Sequence, residues 1–112
     1  MRRIAVGIGV FVLAAGSVSA AEWQVLSGEE ISAMLTDKSA AYDGATQVFY
    51  ASGRTLYTAG ADSWGYWQVR GNQYCSQWPP SGLWDCYGVL VQGQQVRFVA
   101  ADGSFSDGTL KE

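Results

Sequence analysis

The fold is decided by residues 64–91, which read WGYWQVRGNQYCSQWPPSGLWDCYGVLV. This stretch contains four of the five tryptophans and both cysteines of the chain. Alternation of side chains between two faces is typical of strands, and the two-residue link Gly71-Asn72 suits a type II′ hairpin. Because proline cannot donate a ladder hydrogen bond, Pro79 and Pro80 end the second strand. The stretch therefore predicts three consecutive antiparallel strands, the last two joined by a proline loop.

Glycine and short polar turns recur at intervals of about eight to twelve residues after Tyr42, a spacing typical of antiparallel all-β folds. The predicted strands are residues 46–51, 54–59, 64–70, 73–78, 85–92 and 94–100, with a frayed edge strand at residues 104–110. The sequence predicts an α+β, mainly β fold, in which one short N-terminal helix packs on an antiparallel meander of about six strands. Such a meander is compatible with a half-open, calycin-like barrel, and turn spacing does not decide whether the sheet closes.

The N-terminal helix is predicted from its start signal. Ser27 can cap the first turn while the Glu30 side chain returns to the Ser27 amide, and Leu26 can pack on Ile31. Ile31 and Leu35 share one apolar face at helical spacing. We therefore expect a helix of about two to three turns that buries this face against the sheet.

Residues 1–20 are predicted to be a secretory signal peptide. Two arginines near its start precede an apolar run that is too short to span a membrane, and small residues precede the cleavage site. Cleavage is expected after Ala20, with Ala21 as the alternative. Residues 21–112 are then one exported domain, located in the periplasm or, as the alternative, outside the cell.

The charge of the chain limits its partners. The formal net charge is −3, and loss of residues 1–20 would remove two of the seven basic residues and none of the ten acidic ones. Nucleic-acid binding rests on clustered Lys and Arg, whereas the remaining basic residues are spread singly. Nucleic acid is therefore not an expected partner, and stable membrane insertion after signal cleavage is not expected either.

The two cysteines, Cys75 and Cys86, are predicted to form a disulfide, because exported chains mature in oxidising compartments. Closing a loop of this length should stabilise the domain by about 3 kcal/mol in the chain-entropy model. The alternative is a pair of free buried thiols. The spacing is not that of a redox-active Cys-x-x-Cys pair.

Several short motifs follow one another over most of the mature chain. They are LSGEEI at residues 26–31, Gly65-x-Trp67-x-Val69, Gly71-Asn72, Cys75-x-x-Trp78, Cys86 and Gly103. In this order and spacing they resemble a family of small exported proteobacterial proteins of unknown function. The resemblance implies export, a disulfide and a sheet-rich fold, and it implies no activity or catalytic residues.

The absence of histidine from the sequence limits the chemistry. It excludes a Ser-His-Asp triad, a Cys-His pair and an imidazole metal site. A glycosidase needs only two carboxylates at a suitable separation, but acidic residues such as Asp62 and Asp102 fall in predicted turns, where solvated aspartates are common. The chain is predicted not to be an enzyme and to use no metal or cofactor.

Seven aromatic side chains give the strongest functional signal. They are Trp64, Tyr66, Trp67, Tyr74, Trp78, Trp84 and Tyr87. Such rings combine a large apolar area with one polar tip, so the group could line an apolar cavity, form a sugar-stacking face or belong to the core. Trp67 and Trp78 are assigned to the core. Trp64 and Tyr66 face outward by alternation and Trp84 lies in the proline loop, so these three are the predicted ligand-binding residues.

The sequence predicts a non-catalytic exported module that binds a small apolar molecule or a cell-wall glycan. Its site is expected at a sheet face or half-barrel mouth near Trp64, Tyr66 and Trp84. The alternative is a protein-binding module, such as an inhibitor of a cell-wall hydrolase, whose acidic loop at residues 76–85 enters a basic cleft. The expected partner is thus a small molecule, a glycan or a cell-envelope protein.

Overall fold

The computed structural model describes residues 22–112. The predicted signal peptide and its cleavage site lie outside the described residues. Within residues 22–112, no helix is long and apolar enough to cross a membrane.

The described chain forms one helix and nine strands. The helix, α1, spans Gly28–Leu35. The strands are β1 Gln24–Val25, β2 Lys38–Tyr42, β3 Ala45–Phe49, β4 Arg54–Ala59, β5 Ala61–Arg70, β6 Gln73–Gln77, β7 Trp84–Gln92, β8 Gln95–Val99 and β9 Phe105–Lys111. The mainly β fold with one short helix is confirmed, whereas the prediction of about six strands was too low.

Strands β2 to β9 form a closed antiparallel barrel. Each pairs with the next in the chain, and β9 pairs back onto β2 with Leu110 opposite Ala40. The barrel is therefore closed around its circumference, which decides the question that turn spacing left open. The strand predicted at residues 104–110 is present as β9. It is not a frayed edge strand, because β9 has β8 on one side and β2 on the other.

The closing strand β2 was not predicted. Its sequence is KSAAY, which contains two alanines and no β-branched residue, so its intrinsic preference for a strand is low. Pairing with β3 and β9 makes it a strand. Its small residues suit the inner wall, where Ala40 is fully buried.

Helix α1 covers one end of the barrel, which we call the closed end. The predicted capping box between Ser27 and Glu30 is present, and Ile31 and Leu35 are fully buried. The Gly28 amide donates to the Asn72 side-chain oxygen in the β5–β6 turn at 2.8 Å. A Cβ on Gly28 would collide with the Gly71 carbonyl oxygen, so glycine is required for this close approach.

The N-terminal segment is fixed to the outside of the barrel. Strand β1 pairs with the second half of β7. The Arg97 guanidinium on β8 lies 4.2 Å from the centre of the Trp23 ring and 4.0 Å from that of Phe105. It also forms two hydrogen bonds of 2.8 and 3.0 Å to Asp107 on β9. This ion pair and its two aromatic neighbours join three segments on one outer face.

The predicted disulfide is present. Cys75 on β6 and Cys86 on β7 are direct cross-strand partners, with Cα atoms 4.0 Å apart. The bond joins the two strands that flank the proline loop. It thus fixes the walls from which that loop leaves the barrel.

The barrel interior is filled only at its closed end. Side chains from the helix and from the inward face of the strands form one apolar cluster. Its fully buried members include Ile31, Leu35, Phe49, Val89 and Val96. The opposite end carries the β2–β3, β4–β5, β6–β7 and β8–β9 connections, and we call it the open end.

Candidate functional site

A cavity of about 770 Å³ occupies the open end of the barrel. It is lined by Tyr42, Asp43, Gln47, Tyr57, Ser63, Trp64, Tyr74, Ser76, Trp78, Pro79, Tyr87, Phe98, Ser106 and Asp107. The volume lies within the range of about 300–1,000 Å³ that is usual for small-molecule sites. The cavity is therefore large enough to hold a small organic molecule.

Aromatic rings make the wall of the cavity. Tyr57 and Trp78 meet edge to face with ring centres 6.2 Å apart. Tyr74 lies 5.1 Å from Phe98 and 6.1 Å from Tyr87, measured between ring centres. These rings come from β4, β6, β7 and β8 and from the residue that follows β6, so closure of the barrel is what brings them together.

Two glycines on the inner face of the barrel leave room for two of these rings. A Cβ built on Gly65 would lie 2.5 Å from Cε3 of Trp78 and 2.7 Å from the Gln77 carbonyl oxygen. A Cβ on Gly108 would lie 2.9 Å from Cδ1 of Tyr42. Each ring thus lies close against a strand, in the space that a side chain at the glycine would occupy.

A hydrogen-bond network forms the floor of the cavity around the buried Gln47. The Tyr42 hydroxyl donates to the Gln47 side-chain oxygen at 2.9 Å. The Gln47 amide donates to Thr55 Oγ1 at 3.0 Å and to the Tyr74 hydroxyl at 2.9 Å. Thr55 in turn donates to the Val48 carbonyl at 2.7 Å. Because each donor is occupied, the amide is held in one orientation between the cavity and the apolar core.

The network continues to the wall through Ser76. The Trp78 indole Nε1–H donates to Ser76 Oγ at 3.2 Å, and Ser76 also hydrogen-bonds the Tyr74 hydroxyl. Ser76 is buried on the inward face of β6. The indole that lines the cavity is thereby fixed to the same network as the floor.

Tyr42, Tyr74 and Tyr87 in the cavity are uncharged at neutral pH. Burial raises the pKa of Tyr74 to about 12 and raises that of Tyr42 further, with the neighbouring tyrosines adding to the shift of Tyr42. Burial also raises the pKa of Tyr87, and the Asp85 carboxylate adds to this shift. Their hydroxyls therefore act as hydrogen-bonding groups and not as anions.

The three residues predicted to bind ligand lie on the outer side of the barrel wall. Trp64 and Tyr66 are 44% and 46% exposed, and Trp64 also borders the cavity. Tyr66 and Trp84 flank Gln77 in one cross-strand row. The structure thus places Tyr66 and Trp84 side by side across one strand, and neither lines the cavity.

The outward indole rings already have partners. Trp64 stacks on Tyr50 with ring centres 5.9 Å apart, and the Arg54 guanidinium lies 4.2 Å from the Trp64 ring centre. The Arg70 guanidinium lies 4.8 Å from the ring centre of Trp84. A ligand that stacks on these rings would have to share them with, or displace, these neighbours.

The two tryptophans assigned to the core have different environments. Trp67 is 7% exposed and donates its indole N–H to the Tyr50 carbonyl at 2.9 Å, so its assignment is confirmed. Trp78 is only half-buried and lines the cavity. The assignment of Trp78 to a filled core is therefore corrected, because the space inward of its ring is empty.

About half of the residues in the cavity wall were not predicted from the sequence. Tyr42, Gln47, Tyr57 and Phe98 lie on strands β2, β3, β4 and β8, outside the aromatic-rich stretch. One signal was present, namely a glycine at an inward strand position, as at Gly65. Such a glycine indicates a close approach of another group, here the ring of Trp78.

Within residues 22–112, no cluster of three or more His, Cys, Asp or Glu side chains is arranged to hold a metal ion. The chain matches no protein-family model, no curated protein and no solved structure. The resemblance to exported proteobacterial proteins therefore stays a prediction.

Proposed function

We propose that this protein is a non-catalytic module that binds a small, largely apolar molecule in the open end of its barrel. The observation that supports the proposal is the cavity of about 770 Å³, which is walled by aromatic rings above a polar floor. Barrels of eight strands either fill their interior with side chains or hold one small ligand. This barrel has a filled half and an empty half.

The binding site is preorganised. Gly65 and Gly108 leave the space into which Trp78 and Tyr42 fold back, and Gln47 fixes the floor through three hydrogen bonds. Emptying a barrel end removes apolar contacts that would otherwise stabilise a small domain. A function in ligand binding accounts for this arrangement, because a preformed site loses little entropy when its ligand binds.

The proposal of binding without catalysis is supported by the ionisation of the lining groups. Efficient acid–base catalysis uses groups whose pKa lies near the operating pH. Tyr42, Tyr74 and Tyr87 in the cavity have pKa values raised above their usual range. They are therefore suited to hold a ligand and not to transfer protons at neutral pH.

Export to the periplasm remains part of the proposal. The Cys75–Cys86 disulfide supports it, because such bonds persist in oxidising compartments. A module of this kind would meet its ligand in the cell envelope or outside the cell.

The proposal is tested with N-phenyl-1-naphthylamine, an uncharged dye that fluoresces in apolar sites. We expect saturable binding of one dye per chain. The Ser106→Trp variant should weaken binding by about tenfold or more, equivalent to ~1.4 kcal/mol. Ser106 lies opposite Phe98 on the inner face of the barrel, so an indole there would occupy the mouth.

The matched control is Thr46→Trp, which adds the same ring at an exposed strand position that does not line the cavity. It should bind the dye as the unmodified protein does. Dye fluorescence that does not saturate, or equal loss of binding in both variants, would contradict the cavity as the binding site.

A glycan-binding face is a second candidate. The outer row of Tyr66, Gln77 and Trp84 supports it, since outward-facing aromatic and amide side chains suit sugars. The Arg70 guanidinium over the Trp84 ring reduces the free stacking area. We therefore consider the glycan-binding face a weaker candidate than the cavity.

The protein-binding alternative depends on the connection between β6 and β7. Leu83 in this connection is 74% exposed, which supports a contact role. Asp85, however, lies within β7 and pairs with Ser76, so the acidic end of the predicted loop is part of the barrel wall. Inhibition of a lysozyme by excess protein would favour this alternative over the cavity.

A further inference from the structure

Carboxylates surround the open end of the barrel. Of the ten acidic residues in the chain, five lie in the connections of this end or within the first three residues of the strands that leave it. They are Asp43, Asp62, Asp85, Asp102 and Asp107. Asp43 lines the cavity, and the charge of Asp85 acts on Tyr87 in its wall.

Basic residues lie mostly at the other end. Lys38 and Arg54 begin β2 and β4, whereas Arg70 and Lys111 end β5 and β9, so the backbones of all four are at the closed end. The guanidiniums of Arg54 and Arg70 extend along the outer wall onto two tryptophan rings. Arg97 lies in the middle of β8, where it is bound to Asp107 at 2.8 Å. The connections of the open end therefore carry an excess of negative charge, which raises the local concentration of cations at the mouth.

The cavity has no basic group to offset this charge, since none of its lining residues in the described chain is Lys or Arg. Its wall is instead formed by rings, including Tyr57, Trp78, Tyr87 and Phe98. The faces of such rings carry partial negative charge and attract organic cations, with indole the most effective. The wall and the mouth therefore both favour a positively charged ligand.

The floor presents oxygen lone pairs to a ligand. The Tyr42 hydroxyl, the Gln47 amide and the Trp78 indole use their protons within the protein. The Tyr42 oxygen keeps lone pairs for a further hydrogen bond. A carboxylate or phosphate would meet the acidic mouth.

We infer that the ligand is an organic cation, with an ammonium group attached to an apolar or aromatic body. This inference rests on the proposed function and adds the charge of the ligand to it. Rings, lone pairs and mouth carboxylates all stabilise a positive charge, while the apolar wall accommodates the rest of the molecule. An anionic amphiphile such as a fatty acid is disfavoured by the same groups.

Three probes of similar shape test which ligand charge the cavity prefers. They are benzyltrimethylammonium, its uncharged carbon analogue neopentylbenzene, and the anion 3-phenylpropanoate. Each is titrated against the protein with bound N-phenyl-1-naphthylamine, and displacement of the dye is followed. We expect the cation to displace the dye at a concentration about tenfold lower than the uncharged analogue, and the anion to be the weakest.

Two double variants test whether the preference for the cation comes from the carboxylates at the mouth or from the net charge of the protein. Asp43→Asn/Asp85→Asn removes two carboxylates at the open end, and we expect it to reduce the preference for the cation about threefold. Glu22→Gln/Glu112→Gln removes the same charge at two exposed terminal positions and should leave the preference unchanged. In the described part of the structure none of these four carboxylates has a side-chain hydrogen bond, so neither double variant loses one.

The outcomes distinguish the inference from the proposed function. If the uncharged analogue or the anion displaces the dye as well as the cation does, or if no probe displaces a dye that binds, the inference is overturned and the binding proposal stands. If the dye itself fails to bind in the cavity, the proposed function fails as well.

Discussion

The Gly65→Ala variant is expected to lose about 3 kcal/mol of unfolding free energy, at the upper end of the cost of overpacking. The added Cβ would lie 2.5 Å from a ring carbon of Trp78 and 2.7 Å from the Gln77 carbonyl oxygen. The carbonyl belongs to the barrel ladder and cannot move without breaking strand pairing. The ring must therefore shift into the cavity, so dye binding should fall together with stability.

Gly88→Ala is the matched control, because Gly88 lies in β7 with no heavy atom within 4 Å of an added Cβ. It should be neutral or slightly stabilising, since alanine restricts the unfolded chain more than glycine does. Urea denaturation of the two variants gives the comparison. Equal stability of the two variants would contradict the close contact between Gly65 and Trp78.

Removal of the disulfide by Cys75→Ala/Cys86→Ala is expected to lower the free energy of unfolding by about 3 kcal/mol. For a domain of this size, the melting temperature should then fall by about 10 to 20 °C. The bond closes the loop between β6 and β7, so its loss allows the unfolded chain many more conformations. Thermal unfolding followed by circular dichroism measures the effect.

Reductant provides an internal control for this prediction. It should lower the melting temperature of the unmodified protein by a similar amount and leave the double variant unaffected. A melting temperature of the unmodified protein that does not respond to reductant would show that the bond does not stabilise the fold.

The features that could be predicted correctly are those that depend on residues close together in the chain. The capping box of Ser27 and Glu30, the Gly71-Asn72 hairpin and the inward face of Trp67 are all confirmed. Each depends on residues within a few positions of one another. Alternation also correctly turned Trp64 outward, where it is 44% exposed.

Barrel closure and the cavity could not be predicted in this way. Strand β2 has weak intrinsic preference and exists through pairing with β9, about seventy positions further along the chain. Because β2 was not predicted as a strand, the positions of the Tyr42 ring and of the hydrogen bonds around Gln47 could not be predicted either. Trp78 was assigned to the core because a sequence shows that a side chain is inward but not whether the space beyond it is filled.

The most direct test of the account is to locate the bound ligand through the tryptophan indole N–H signals in an NMR titration with benzyltrimethylammonium. Trp78 donates its indole N–H to Ser76 in the cavity wall, whereas the Trp84 ring lies on the outer side and does not line the cavity. We predict that the Trp78 signal shifts with saturation and that the Trp84 signal stays in place. A shift of Trp84 with an unmoved Trp78 would contradict the cavity and place binding on the outer face.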